Sequence, residues 1–157
     1  MSVLNQIKKT FKIGQIKEYY ETYWVFDIHD TILKANYDLN RAPTEEDFFP
    51  FAKETLQILS KLDNIVMIMW TSSYPREIKE IQKLFKEHDI KFNYIGDNPE
   101  ISSNKGNFGY YEDKFYFNVM FEDKAGFDIA EWENIYAYLL RWKERGEKPD
   151  PKWSTKY

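Results

Sequence analysis

The hydrophobic residues of this chain fall into two patterns, short continuous runs and longer segments with helical spacing. Tyr23–Asp27 and Ile65–Trp70 are apolar at almost every position. Continuous apolar character over so short a run is typical of a strand that is buried on both faces, as in parallel sheets. Two later runs, Ile90–Ile95 and Phe115–Phe121, predict a third and a fourth strand.

Helical spacing appears between and after these strands. Phe51–Leu62 and Glu131–Arg145 carry apolar residues on one helical face and charged residues on the other. A further helix is predicted to begin at Pro75, because proline lacks only an N–H that would have no partner in the first turn. By contrast, Gly96–Lys114 is rich in Gly, Asn, Ser and Asp, which indicates a loop.

Strands that alternate with helices at this spacing indicate βαβ units and a parallel sheet. We therefore predict a single domain over residues 1–157, of the α/β class, built as a three-layer sandwich around a mostly parallel central sheet. Its core is expected at about 23–145, with an N-terminal arm or helix over 1–22 and an extended tail over 146–157. In such sheets the ligand site lies beyond the carboxyl ends of the strands.

Composition narrows the classes of function. The 26 acidic and 22 basic side chains give a net charge of -4, which provides no general attraction to nucleic acid. The absence of cysteine excludes disulfides and Cys-based zinc sites, and two histidines argue against a multi-histidine metal site. The longest apolar run, Ile65–Trp70, is too short to cross a bilayer, and no signal-peptide pattern is visible. We expect a cytoplasmic protein, and the sequence does not indicate its oligomeric state.

Polar residues follow three of the four predicted strands, at the edge where a ligand site is expected. Asp27 ends the first strand and Thr71 follows the second. Glu122 and Asp123 follow the fourth, and Asp128 comes five residues after Asp123. Carboxylates gathered without a partner repel one another, and a hard cation such as Mg²⁺, which prefers oxygen ligands, relieves that repulsion. A Mg²⁺ site is therefore expected, in which Glu122 could replace or assist Asp123.

A phosphate-binding role fits the remaining polar groups. The hydroxyl of Thr71 and a lysine such as Lys105, in the loop before the fourth strand, could hold an anion such as phosphate. A carboxylate can act as the nucleophile in phosphoryl transfer and form an aspartyl-phosphate. The simpler alternatives are solvation for Lys105, and helix capping for Asp128 and for Thr71, Ser72 or Ser73.

In this order the motifs resemble those of the haloacid-dehalogenase-like (HAD) superfamily, over roughly residues 23–140. Trp24–Leu33 looks like the family's first motif, an apolar strand followed by Asp-x-Asp-x-Thr. Met67–Ser72 looks like the second, an apolar strand that ends in Ser or Thr. Lys105 stands where the lysine of the third motif would. The spacing of the acidic fourth motif is matched by Asp123 and Asp128.

The resemblance implies a Rossmann-like HAD core and a Mg²⁺-dependent phosphatase that acts on a phosphomonoester through an aspartyl-phosphate on Asp27. Thr71 and Lys105 would bind the transferring phosphoryl group. The metal residues that it implies are Asp27, the backbone carbonyl of His29, Asp123 and, as support for the metal shell or for Lys105, Asp128.

One position departs from the family's pattern. The second Asp of the first motif, usually the general acid and base, is His29 here. Histidine can do the same work, since its ordinary pKa is roughly 6.5. The change could equally leave a HAD-like metal- and phosphate-binding or regulatory protein with little or no turnover, and both hypotheses stay open. Asp30 is the neighbouring carboxyl group, but its side chain is expected to point elsewhere.

The gaps between the motifs hold no cap domain. Resemblance to capless members implies an open site, used on a small phosphorylated molecule or on a macromolecular end such as that of a nucleic acid. The segment Lys34–Phe49 could form a small flap over it, with Asn36, Tyr37, Arg41 and Phe48 as possible substrate contacts. The aromatic residues within 108–117 invite a base-stacking interpretation, but packing on the core explains them more simply.

Overall fold

Four parallel strands form the centre of this computed structural model, which describes residues 2–17, 20–36, 38, 41–101 and 109–144. In chain order the helices and strands are α1 (Val3–Lys17), β1 (Thr22–Phe26), α2 (Ala52–Ser60), β2 (Ile65–Met69), α3 (Pro75–Glu87), β3 (Tyr94–Ile95), β4 (Val119–Phe121) and α4 (Glu131–Glu144). Two short 3-10 turns, Glu45–Asp47 and Asp123–Ala125, lie between them. Of the part of the chain that the structure describes, no helix is both long and apolar enough to cross a membrane.

The order of the strands in the sheet is β3-β2-β1-β4, and all three pairings are parallel. In β1, Trp24 lies beside Met67 of β2 and Val119 of β4. The chain thus runs outward from β1 to β3 and then returns to the other side of β1. A reversal of this kind leaves a crevice at the carboxyl ends of the two strands that flank it, here β1 and β4.

One face of the sheet carries the main core and is covered by the helices. Trp24 and Phe26 of β1 are fully buried there. The ring of Phe121 in β4 stacks on Phe26 at 4.4 Å and on Trp132 of α4 at 5.1 Å. The indole Nε1–H of Trp132 donates to the backbone carbonyl of Thr31, at 2.8 Å. This aromatic stack therefore joins the sheet, the last helix and the loop that follows β1.

The other face of the sheet is covered by a segment without helix. Tyr23, Val25, Val66 and Ile68 are buried there, and the side chains that pack on them are Tyr94, Ile101, Phe115, Tyr116, Phe117 and Met120. Phe115, Tyr116 and Phe117 of the aromatic segment thus pack on the core, whereas Tyr110 is exposed and Phe108 lies outside the described residues. The fold is α/β, with the parallel sheet as the middle layer of a Rossmann-like three-layer arrangement.

The third and fourth strands are shorter than predicted, and asparagine side chains explain where they begin. Asn118 Oδ1 accepts the N–H of Tyr23 at 2.8 Å, and the backbone N–H of Asn118 donates to the carbonyl of Tyr23. Asn93 makes the same pair of contacts with Met67. In each case the side-chain amide takes the place of a backbone carbonyl of the ladder, so regular pairing starts one residue later.

The N-terminal segment is a helix that belongs to the core, not a peripheral arm before a core that begins near residue 23. Val3, Ile7 and Phe11 of α1 are buried. The ring of Phe11 stacks on Trp142 of α4, with centroids 4.8 Å apart. Their spacing places these apolar residues on one helical face, which buries them against the sheet and α4. The tail over 146–157 lies outside the described residues.

Candidate functional site

The site begins where β1 ends. Asp27 is the first residue after the strand, and its backbone N–H donates to the carbonyl of Phe121 at 2.8 Å, so the pairing of β1 with β4 extends to this residue. Its side chain is half-buried. One carboxylate oxygen, Oδ2, accepts a hydrogen bond from the buried hydroxyl of Thr31 at 3.2 Å. The carboxyl group of Asp27 is therefore held in a fixed direction.

A tight turn carries the next residues. The carbonyl of Ile28 accepts from the N–H groups of Ile32 at 2.8 Å and Leu33 at 3.0 Å. Asp30 has a φ of 60°, in the left-handed region that Asp tolerates better than most residues. Its exposed side chain accepts from the N–H of Ala35 at 3.2 Å. Asp30 thus stabilises its own loop, and its side chain points away from the carboxyl group of Asp27, as expected.

Two more carboxyl groups meet Asp27. Glu122 and Asp123 directly follow β4, and one oxygen atom from each of the three side chains lies within 4.8 Å of the others. This cluster of Asp27, Glu122 and Asp123 is called the carboxylate cluster below. All three are half-buried. A set of oxygen donors at this spacing fits a hard divalent cation such as Mg²⁺.

The pKa values of these three carboxyl groups are shifted because the groups are half-buried and lie close together. Burial raises the pKa of Asp27, and the nearby charge of Asp123 adds to that, whereas hydrogen bonds from Ile28 and Thr31 oppose it. Burial, the contact with Asp123 and the charge of Asp27 together raise the pKa of Glu122 to about 7. The pKa of Asp123 is lowered, chiefly because it accepts a hydrogen bond from Glu122. A bound cation would favour the ionised form of all three groups, because it would offset their mutual repulsion.

The loop after β2 brings hydroxyl groups to the same edge. Trp70 continues the pairing with β1 by donating to the carbonyl of Phe26, and Thr71 follows it. Thr71 Oγ1 donates to Ser73 Oγ at 2.9 Å and accepts from the N–H of Ser73 at 3.1 Å. Ser73 Oγ lies 3.3 Å from Nδ1 of His29. A hydroxyl chain, Thr71–Ser73–His29, thus connects the loops that follow β1 and β2.

Ser73 is the site residue that sequence reasoning missed, since it was considered only as a helix cap. The N-cap of α3 is Tyr74, which makes no side-chain capping bond, and the hydroxyls of Thr71 and Ser73 bond to one another instead. The available signal was a second hydroxyl residue two positions after Thr71. Its contact with His29 depends on the distance between two loops, which the sequence does not give.

One expected metal residue, Asp128, does not belong to the carboxylate cluster. Asp128 is exposed, and its Oδ1 accepts the N–H of Ala130 at 2.9 Å, directly before α4. It therefore acts as the helix-capping residue of the simpler alternative, and Glu122 occupies the third position beside Asp27 and Asp123. Lys105 lies outside the described residues.

Comparisons with known proteins inform the fold. No protein-family model matches this chain, and no match was found among curated proteins. One similar solved structure is that of a conserved protein from Bacteroides thetaiotaomicron, with a TM-score of 0.51 and 18% sequence identity. The alignment covers 82% of this chain and 93% of that chain. At this identity the similarity shows the fold alone, a parallel sheet with helices in an α/β arrangement.

Proposed function

We propose that this protein is a Mg²⁺-dependent phosphatase that hydrolyses a phosphomonoester through an aspartyl-phosphate on Asp27. The observation that supports this most directly is the carboxylate cluster at the switch point of the sheet, with the Thr71–Ser73–His29 hydroxyl chain at the same edge. The cluster supplies a nucleophile and oxygen ligands for a metal. The hydroxyl chain supplies a phosphate contact and a proton donor.

The three members of the carboxylate cluster have different roles in this proposal. Asp27, held through Oδ2 by Thr31, presents its other carboxylate oxygen for attack on phosphorus. Glu122 and Asp123 would hold Mg²⁺ together with Asp27. When bound, the cation offsets the negative charge that otherwise keeps a carboxylate and a phosphate apart.

The reaction needs two displacements. In the first, a carboxylate oxygen of Asp27 bonds to phosphorus, the bond from phosphorus to the leaving oxygen breaks, and that oxygen takes a proton from His29. In the second, a water oxygen attacks phosphorus, its proton returns to His29, and phosphate leaves the carboxylate of Asp27. The hydroxyl of Thr71 would turn from Ser73 to a phosphoryl oxygen. A phosphate contact by Lys105 stays a prediction.

The hydroxyl chain can orient the ring of His29 for proton transfer. As the acid of the first step His29 must be the imidazolium, in which both ring nitrogens carry a proton. The N–H at Nδ1 would donate to Ser73 Oγ, which lies 3.3 Å away. Nε2 would then deliver its proton to the leaving group and leave a neutral imidazole that still donates to Ser73. This arrangement supports histidine as the replacement for the usual carboxylic acid.

The experiment is hydrolysis of an aryl phosphate with and without Mg²⁺, for the wild type, Asp27→Asn and His29→Asp. We expect Mg²⁺-dependent activity in the wild type, its loss in Asp27→Asn, and no loss in Asp89→Asn. Asp89 is a matched control because it is exposed and its φ of 58° suits asparagine. Activity only in His29→Asp would instead favour a metal- and phosphate-binding protein. If no variant hydrolyses the aryl phosphate although each is folded, the proposal is contradicted.

A further inference from the structure

A recess opens beside the loop that follows β1. It is a cleft of about 260 Å³ between the segment that follows Leu33 and the first half of α3, and His29 lies in its wall. None of Asp27, Glu122 and Asp123 lines it. His29 thus lines this cleft and also contacts Ser73 of the hydroxyl chain, while the carboxylates lie outside the cleft.

The cleft has an apolar floor and an exposed aromatic ring. Leu33 and Ile81 are buried beneath it, and Pro43 also lines it. Tyr74 borders the cleft and is 74% exposed, and its side chain makes no capping bond to α3. The exposed ring of Tyr74 lies beside an apolar floor. It therefore offers a flat surface on which the ring of a ligand can stack.

The charges of the cleft do not suit an anion. Arg41 is paired with Asp47, and Arg76 lies 3.7 Å from Glu80. The remaining charged side chains among the described lining residues are Lys34, Asp38 and Glu77. Carboxylates thus outnumber cations, and the two arginines already have acidic neighbours. A phosphate in this space would meet a net negative surface.

We propose that this cleft takes the leaving group of the substrate, and that this group is uncharged and carries a ring, as in a nucleoside monophosphate. The proposal rests on the proposed function. A proton donor must reach the leaving oxygen. Among the described residues assigned to the reaction, His29 is the one that also lines the cleft. The phosphate then lies on the carboxylate side of His29 and the alcohol on the cleft side.

The first experiment compares three phosphomonoesters at saturating Mg²⁺. They are a nucleoside 5′-monophosphate, the corresponding nucleoside 3′,5′-bisphosphate, whose leaving group keeps a phosphate, and glycerol phosphate, which has no ring. We expect kcat/KM for the monophosphate to exceed both others by at least about tenfold, since one stacked base is worth roughly that factor. Equal kcat/KM for the three, with activity that depends on Asp27, overturns the assignment and leaves the phosphatase intact.

Variants of the cleft test separately its preference for a ring and its discrimination against a charged leaving group. Tyr74→Ala should lower kcat/KM for the nucleoside monophosphate by roughly tenfold and leave glycerol phosphate within about twofold. Tyr110→Ala removes an equally exposed tyrosine outside the cleft and should change neither. Glu77→Lys should raise kcat/KM for the bisphosphate several-fold, while Glu87→Lys, at the exposed end of the same helix, should not. Equal losses on all substrates in Tyr74→Ala contradict the proposal.

A binding measurement separates failure of the cleft from failure of the phosphatase. If the wild type hydrolyses none of the three compounds, the proposed function fails. The cleft is then tested by adding the nucleoside 5′-monophosphate and Mg²⁺ and following the ring NMR signals of Tyr74 and His29. Saturable shifts of both signals, absent with glycerol phosphate, support the assignment. No shift overturns it.

Discussion

Strand β1 has an acidic cluster at each end, and the two differ in how they are satisfied. Before the strand, Glu21 accepts the hydroxyl of Tyr23 at 2.9 Å and contacts Glu100, which in turn accepts from Tyr94. After the strand, the carboxylate cluster receives the hydroxyl of Thr31 and backbone N–H groups, although it holds three acids. The contact with Glu100 and burial raise the pKa of Glu21, as burial raises that of the Glu122 carboxyl.

The difference shows that a raised pKa does not identify a site by itself. The cluster before β1 holds two acids, each with a tyrosine hydroxyl, at the end of the strand opposite the switch point. The carboxylate cluster receives the Thr31 hydroxyl and the N–H groups of Ile28 and Lys124, but it gathers three acids at the switch point of the sheet, at the same edge as His29 and Thr71. Three carboxyl groups gathered at a ligand-binding edge favour a cation site, whereas two acids held by tyrosine hydroxyls favour a structural role.

The largest expected effect is on turnover. Asp27→Asn should lower kcat for an aryl phosphate by at least about a thousandfold, because an amide oxygen cannot replace the attacking carboxylate. Glu21→Gln, at the other end of the strand, should keep kcat within about twofold of the wild type. Steady-state hydrolysis measures both. A comparable loss in the two variants would mean that the two clusters do not differ in function.

Mg²⁺ binding gives the next effect. At a Mg²⁺ concentration of about 100 Kd, binding should stabilise the protein by about 2.7 kcal/mol, which raises Tm by roughly 5–10 °C for a chain of this length. Glu122→Gln should lose most of that rise, because it removes a ligand. Glu100→Gln should keep it, and so should Asp128→Asn. Thermal unfolding with and without Mg²⁺ measures the rise, and an Asp128→Asn variant that loses it would restore the ligand set implied by the family resemblance.

A smaller effect is expected when the hydroxyl chain is broken. Ser73→Ala should lower kcat by roughly tenfold, part of the 10²–10⁴-fold that a positioned acid contributes. The loss is expected because Nδ1 of His29 loses its hydrogen-bond partner. Ser72→Ala is the matched control, because that serine is exposed. An unchanged kcat in Ser73→Ala would leave Ser73 with a merely structural role.

The smallest effect concerns stability and pH. The pKa of Glu122 is about 7 in the folded protein, above its ordinary value of 4.5, so the folded state keeps a proton that the unfolded state has lost. The free energy of unfolding of the metal-free protein should therefore fall as pH rises from about 4.5 to about 7. Denaturant unfolding at several pH values measures this slope.

The same measurement distinguishes the acidic cluster before β1 from the carboxylate cluster after it. Mg²⁺ or Glu122→Gln should remove the part of the slope that Glu122 causes. Glu21→Gln should reduce the slope by the same amount with and without Mg²⁺, because Glu21 lies away from the cation. A slope that Mg²⁺ leaves unchanged would contradict a cation site at the carboxylate cluster.

The sequence predicts the centre of the sheet well and its edges less well. Tyr23–Asp27 and Ile65–Trp70 were predicted as strands, and the structure has Thr22–Phe26 and Ile65–Met69. Such strands can be predicted because burial on both faces requires a continuous run of apolar residues. The bounds of β3 and β4 could not be predicted, because they depend on side chains of Asn93 and Asn118 that reach into the neighbouring strand's hydrogen bonds.

The same distinction applies to the candidate site. Residues that follow a buried strand directly, such as Asp27 and Asp123, were correctly predicted to come together, because the ends of parallel strands fix their positions. Asp128 was also expected at the site but does not join these two residues. A 3-10 turn and Gly126, with a φ of 102°, lead the chain away before Asp128. Ser73 was missed because its partner His29 belongs to another loop.

The contact between Trp132 and Thr31 also has a consequence for synthesis of the protein. The carbonyl that receives the indole N–H belongs to the loop that follows Asp27, while the donor lies 101 positions later. A ribosome must therefore make nearly all of the described chain before that loop is anchored. Until α4 has emerged and docked, the nascent protein lacks this support for the Asp27 loop, so competence for metal and phosphate should arise at the last stage of folding.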